Sequence, residues 1–370
     1  MAISILTFLI VLSVLILAHE FGHYWAAKRA GVLVEEFGLG YPPRIYGKKI
    51  GETIYSINLL PFGGFVRLHG EISQEGVTKP KRSFINKSKK ARITVLLAGV
   101  TMNLLLAVVA FATVYSFSGI PKETENVRVV DVVPGSPAQT AKILVGDVVK
   151  KVGDEEVTAV SEFIEIVEGS KGERLTIELE RIKGEDKSLE KIRITPRENP
   201  PEDEGPLGVV ISSTEVYYPP VWQRPFVGIY YGVKEALFWG ATMVAGFATL
   251  FANLFKGQVP QDIAGPVGIF ALTSEAAKYG VLTLINFVGI LSINLVILNM
   301  LPFPALDGGR LMFIGIESII GRKILPKVEA TLNAIGMIIL ISLLVAITVQ
   351  DVRRLVSAGG ISGFLNSILR

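Results

Sequence analysis

The chain contains no cysteine and only three histidines, His19, His23 and His69. The first absence excludes a disulfide framework and any thiolate metal or redox site. The second leaves few imidazoles from which a metal centre could be assembled. Charge is scarce as well: 19% of the 370 residues are Asp, Glu, Lys or Arg and 50% are hydrophobic, with a mean hydropathy of +0.48. Soluble globular domains do not carry so little charge. The formal net charge of +3 is too small for a nucleic-acid-binding surface, so no nucleic-acid partner is expected. These scarcities leave a polytopic membrane protein with a polar insert, its partner the lipid bilayer.

Within that frame one stretch is anomalous. Ala2–Ala18 carries no charge, then His19-Glu20-Phe21-Gly22-His23 follows, and Lys28 and Arg29 close the run. Ionisable groups at depth in a bilayer cost roughly 2.5–3.5 kcal/mol per charge, which marks them as functional. On a helix His19 and His23 lie one turn apart on one face, where two imidazoles can hold one zinc ion. Glu20 stands beside them, placed to take a proton from a metal-bound water. Such a site needs a third protein ligand.

The order of charges organises the rest. The amino terminus lacks the basic residues of a signal peptide and its positives follow the run, so a retained helix with its amino terminus outside is expected. Lys28–Arg92 holds 13 Lys and Arg against 5 Glu, the balance of a cytoplasmic loop. Its centre, Ile54–Leu68, is apolar and rich in β-formers around Pro61-Phe62-Gly63-Gly64-Phe65. It reads either as a hairpin leaning into the membrane or as an ordinary cytoplasmic one, with an edge that could pair with an unwound segment. His69 reads as a surface loop residue. In the second span, 93–118, Gly99 and Asn103 have the spacing of close helix packing, and Asn103 could equally serve the metal site.

Lys122–Glu215 inverts the balance, with 21 acidic against 13 basic residues, so an extracytoplasmic domain is expected. Pro134-Gly135-Ser136-Pro137-Ala138, followed by Gly146-Asp147-Val148-Val149 and Val152-Gly153, resembles a PDZ domain. Such domains take an extended C-terminal peptide by strand addition, so a C-terminal peptide is a candidate partner; a spacer that binds nothing is the alternative. Residues 226–256 are apolar enough to span but contain Lys234 and Glu235. A span would invert the loop 310–329, whose four Lys and Arg against two Glu read as cytoplasmic. They are therefore expected to lie along the outer surface, with a span as the alternative. The third and fourth spans are 281–306 and 331–350. Between them, in Asn299-Met300-Leu301-Pro302-Phe303-Pro304-Ala305-Leu306-Asp307-Gly308-Gly309, two prolines break the helix. Asp307 is the sole carboxylate between Glu275 and Glu317. It reads as the third ligand, with a helix-capping role as the alternative.

The expected fold is a membrane α-helical core of four transmembrane helices with a membrane-associated β-hairpin and an inserted α/β PDZ domain, a partly open β-barrel. Its parts are 1–118 (two spans, loop and hairpin), 119–200 (PDZ), 201–280 (linker and surface helix) and 281–370 (two spans and the third ligand).

With these residues in place the chain resembles the site-2 protease family of intramembrane zinc metalloproteases, nearest its bacterial regulator-of-sigma-E type. The resemblance rests on His19-Glu20-x-x-His23, Pro61-x-Gly63-Gly64-Phe65-Val66-Arg67, the insert, Asp262-Ile263-Ala264-Gly265-Pro266-Val267-Gly268 and Asn299-x-x-Pro302-x-Pro304-x-Leu306-Asp307-Gly308. It implies zinc held by His19, His23 and Asp307, with Glu20 as base. It further implies a substrate held by Asn299, with Asn294 a weaker candidate, and by the loop of Gly63, Gly64 and Phe65. Asn103, Pro302 and Pro304 complete the candidate substrate-binding set. The implied substrate is a single-span membrane protein, such as an anti-sigma factor or signal-peptide remnant, cut in the bacterial inner membrane. Two features depart from the pattern: Val100 stands where a proline is usual, and one PDZ copy is present where many members have two. A gluzincin-type membrane protease with Glu71 or Glu75 as third ligand, and a non-catalytic PDZ scaffold, are the competing readings.

Overall fold

In the computed structural model the described residues are 2–71, 77–183, 186–201, 204–256, 264–360 and 363–364. The chain runs α1 (Ala2–Arg29), β1 (Val34–Ile50), β2 (Thr53–Leu68), α2 (Lys89–Ser118), β3 (Ile120–Val132), α3 (Pro137–Thr140), β4 (Val148–Val152), β5 (Glu155–Glu156), α4 (Val160–Gly169), β6 (Leu175–Lys183), β7 (Asp186–Ile194), β8 (Val209–Tyr217), α5 (Arg224–Phe255), α6 (Pro266–Lys278), α7 (Val281–Met300), α8 (Asp307–Ile320) and α9 (Pro326–Ser357). These elements form two compact units, Met1–Ser118 with Pro220–Arg370, and Gly119–Pro219.

The first unit is helical because a chain this apolar can satisfy its backbone in lipid only within helices or closed barrels. Helices α1 and α2 touch closely: a Cβ on Gly22 would stand 2.2 Å from the Ala98 carbonyl oxygen, so only glycine permits the approach. Helix α7 packs on α2 in the same way, with Gly289 against the Phe111 ring.

Among the described residues five helices, rather than the four expected, are long and apolar enough to cross a membrane; the addition is α5. Instead of standing apart as a surface helix, α5 packs lengthwise and antiparallel along α2. Ser116 donates to the Arg224 carbonyl, Gly228 and Gly232 face the Ala112 and Val108 carbonyls, and Ala236 joins Ala107, Phe111 and Ile293 in one core. The charges that suggested a surface are partnered there. Glu235 accepts hydrogen bonds from Tyr115 Oη at 2.8 Å and Trp239 Nε1 at 3.0 Å, and Lys234 lies over the Tyr231 ring.

The hairpin is longer than the apolar run alone suggested. Phe37, Gly38 and Leu39 pair on one side with Val66, Phe65 and Gly64, and on the other with Tyr55, Ser56 and Ile57. The first half of β1 is therefore covered on both edges, and Gly64–Leu68 forms the outer edge turned toward α1. Gly63, at φ +76°, supplies a left-handed turn open to glycine. Glu36 is buried at the centre. Burial raises its pKa, but hydrogen bonds from Ser56 and Arg44 and the charges of Arg44 and Arg67 outweigh this and hold it below the usual carboxylate value.

His69 is buried rather than a surface residue. Its Nδ1 lies 2.6 Å from Glu35 and its Nε2 accepts the Lys79 N–H at 3.2 Å, so it staples the end of β2 to the following loop.

The second unit is one sheet in the order β7-β6-β4-β3-β8 with β5 on β4, over a core including Val127, Phe163, Ile177, Leu179 and Leu207. The stretch read as linker supplies β8, which pairs with β3 from Ile120–Tyr217 to Val132–Val209.

Candidate metal centre

The site is built where α1 and α2 cross. Gly99 of α2 faces the two imidazoles: a Cβ there would stand 2.5 Å from His23 Nε2 and 2.9 Å from His19 Cε1. The spacing that marked Gly99 for packing thus makes room for the rings. His23 Nδ1 lies 2.9 Å from the Val95 carbonyl oxygen. A carbonyl only accepts, so Nδ1 carries the hydrogen and Nε2 turns its lone pair into the site.

Asp307 opens α8, 284 positions after His23, yet its Oδ2 lies 3.1 Å from both His19 Nε2 and His23 Nε2, which are 3.0 Å apart. These three side chains form a metal-binding constellation among the described residues. Four ligands at 2.0–2.1 Å around a tetrahedral zinc ion stand about 3.3 Å from one another. The observed triangle has that size to within a few tenths of an ångström, and the Val95 bond leaves the His23 Nε2 lone pair free to ligate. The donor set of two imidazoles and one carboxylate therefore fits zinc with a fourth position left for solvent or substrate. His19 Nδ1 is buried with no hydrogen-bond partner among the described residues.

A loop wrapped tightly on the start of α8 presents Asp307. A Cβ on Gly308 would meet the Leu301 carbonyl oxygen at 2.2 Å, and one on Gly309 the Phe303 oxygen at 2.2 Å. Pro302 and Pro304 shape this loop and do not line the cavity.

The cavity, about 360 Å³, is lined by the three ligands and by Glu20, Phe65, Asn103, Asn299 and Arg310. Glu20 is held from the hairpin: its Oε2 accepts the Val66 N–H at 2.9 Å. Asn103 is fully buried, and both atoms of its amide lack a hydrogen-bond partner among the described residues. Phe65 contributes its ring, for which Gly38 leaves space. Gly63 and Gly64 pack on Ile16 and Leu17 of α1 beside the cavity without lining it. Glu71, the alternative third ligand, is instead ion-paired to Arg310 and accepts the Leu68 N–H at 3.3 Å. Glu75 lies outside the described residues, as do Asp262 and Ile263. Local sequence gave no signal for the Val66 contact or for the Glu71–Arg310 pair, which join segments far apart in the chain.

The profile of peptidase family M50 matches residues 7–343. A Clostridium perfringens protein described as a candidate zinc metalloprotease is 35% identical over 346 residues, 93% of this chain and 97% of that one. The zinc metalloprotease RasP of Oceanobacillus iheyensis is 28% identical over 433 residues, 95% of this chain and 99% of that one. Among solved structures, the PDZ domain of an SdrC-like protein from Listeria monocytogenes is 20% identical over 24% of this chain and 87% of that one, with a TM-score of 0.19.

Proposed function

We propose that His19, His23 and Asp307 hold the metal of this chain, which belongs to peptidase family M50 and is an intramembrane zinc metalloprotease, and that Glu20 is its general base. One observation carries the assignment: three ligand atoms converge within 3.1 Å at the crossing of apolar helices, next to a carboxylate. When bound, zinc supplies Lewis-acid chemistry, acidifying a water molecule and drawing charge from the scissile carbonyl. Glu20 accepts the proton that the attacking water loses and returns it to the amide nitrogen of the departing segment. The C–N bond breaks, one water is consumed, and an amine and a carboxylic acid result.

Asn103, with both amide atoms unpaired among the described residues, and Asn299 offer hydrogen bonds to a substrate backbone lying in the cavity. A helical substrate must unwind first, since its carbonyls are bonded internally. The outer edge Gly64–Leu68, whose Val66 and Leu68 N–H groups are held by Glu20 and Glu71, offers its remaining backbone groups as replacement partners by strand addition. The substrate class is a single-span membrane protein.

The charge pattern supports an inner-membrane protein with Lys28–Arg92 in the cytoplasm and residues 119–219 outside. There the resemblance of the insert to a PDZ domain supports capture of a C-terminal peptide. The cavity of about 210 Å³ between α4 and β8, lined by Phe163, Val167, Leu207 and Val209, is a place for one.

The test is cleavage of a model single-span substrate by purified wild type and Glu20→Gln, with zinc content measured on both. Zinc retained and cleavage lost in Glu20→Gln is expected. Cleavage by Glu20→Gln at the wild-type rate refutes the role of Glu20, and no cleavage by wild type favours a scaffold.

A further inference from the structure

Helix α9 is largely exposed along its length, as a lipid-facing helix is. Only two of its described residues are buried, Gly336 and Asp351. Asp351 Oδ2 accepts the Gly268 N–H at 2.9 Å and so ties α9 to the start of α6. Gly336 serves the other end. A Cβ there would lie 2.5 Å from the Pro304 carbonyl oxygen, so α9 rests directly on the loop that delivers Asp307. One turn earlier, Asn333 Oδ1 accepts the Ala305 N–H at 3.0 Å.

Ala305 is the residue this bond holds, and its backbone is unusual. At φ +76° it is one of two non-glycine residues among those described in the left-handed region, the other being Lys142. A residue with a Cβ is strained there and stays only when its surroundings fix it. Asn333 is well suited to do so. A backbone N–H requires an acceptor, and the amide oxygen supplies one. The strained residue lies two positions before Asp307, so relaxation at Ala305 would swing the carboxylate out of its triangle with the two imidazoles.

We propose that Asn333, seated by Gly336, is a positioning residue: it clamps Ala305 in its left-handed conformation and thereby holds Asp307 in ligating position. The inference rests on the reading of His19, His23 and Asp307 as the metal ligands. Partners that orient metal ligands commonly contribute 10–100-fold to metal affinity, and the lower end suits a residue acting through the backbone.

The experiment is chelator competition for zinc on the purified full-length chain, alongside the thermal melting of the metal-free protein. Asn333→Leu keeps the size and removes the acceptor, and should bind zinc about tenfold more weakly. Asn333→Asp keeps an acceptor oxygen and should stay within about twofold of wild type. Ala305→Gly in the Asn333→Leu background should recover most of the lost affinity, since glycine takes a positive φ without strain. Wild-type zinc affinity in Asn333→Leu overturns the proposal, as does an equal loss in Asn333→Asp. If Asn333→Leu fails to fold, Ala305→Val against Ala305→Gly replaces it. The valine should weaken zinc binding and the glycine should not; equal affinities overturn the proposal. Asp307→Ala separates the two layers: undiminished zinc binding there sinks the metal centre itself, whereas loss there with wild-type affinity in Asn333→Leu sinks only the clamp.

Discussion

Gly99→Ala puts the site geometry to a quantitative test. The added Cβ would stand 2.5 Å from His23 Nε2 and 2.6 Å from its Cε1, whereas ordinary contacts begin near 3.4 Å. The ring must retreat by about 0.9 Å, while zinc ligation tolerates only about 0.2 Å. Retreat from α2 is opposed by Nδ1, which is bonded at 2.9 Å to the oxygen of Val95, one turn before Gly99 on the same helix. A shift that clears the methyl stretches or breaks that bond and also presses on His19, whose Cε1 lies 2.9 Å from the same Cβ position. Overpacking of this kind costs about 1–3 kcal/mol in stability. The loss of zinc affinity should be larger, at least about 100-fold, or about 2.8 kcal/mol. Zinc affinity by chelator competition is the assay. Gly246→Ala serves as control, since nothing lies within 4 Å of its Cβ position. Gly99→Ala binding zinc within tenfold of wild type would refute the placement of the rings.

Arg92 on α2 and Glu317 on α8 form an ion pair with side chains only 5% and 4% exposed. Removing one partner of a buried pair costs about 3–5 kcal/mol, so Arg92→Leu should lower the thermal midpoint sharply and Arg92→Leu/Glu317→Leu should recover most of it; an additive double variant would contradict this. Glu36 has a lowered folded pKa, so its stabilising contribution is complete above the unfolded carboxylate value and fades as pH falls through the folded one. Hydrogen-exchange protection of the β1–β2 hairpin should accordingly drop in acid, with a smaller drop in Glu36→Gln; identical acid profiles would refute it. Glu71→Gln should loosen the end of β2 from α8 and lower turnover through Glu20 while zinc stays bound, read as kcat against zinc content; loss of zinc would assign Glu71 to the metal instead.

The parts legible in sequence were those where chemistry conflicts with its surroundings. Two imidazoles and a carboxylate in an uncharged run, and one carboxylate after two prolines, stand out because lipid disfavours them. Their convergence was expected because a zinc site with two imidazoles needs a third protein ligand. Partnership was hidden. Glu235 looked like a surface marker because Tyr115, which satisfies it, lies 120 positions earlier. His69 looked exposed because Glu35 is 34 positions away. Strand β8 looked like linker because its pairing partner β3 precedes it by most of a domain. Asn333 and Gly336 carry no local signal, since the loop they grip is recognisable only once the chain is folded.

Zinc K-edge X-ray absorption on the purified full-length chain and on Asp307→Ala tests the central claim most directly. Two imidazole nitrogens and carboxylate oxygen around one zinc ion per chain are expected for the wild type, with metal lost or its surroundings altered in the variant. A zinc ion without imidazole scattering, or an identical spectrum and stoichiometry in Asp307→Ala, would contradict the account.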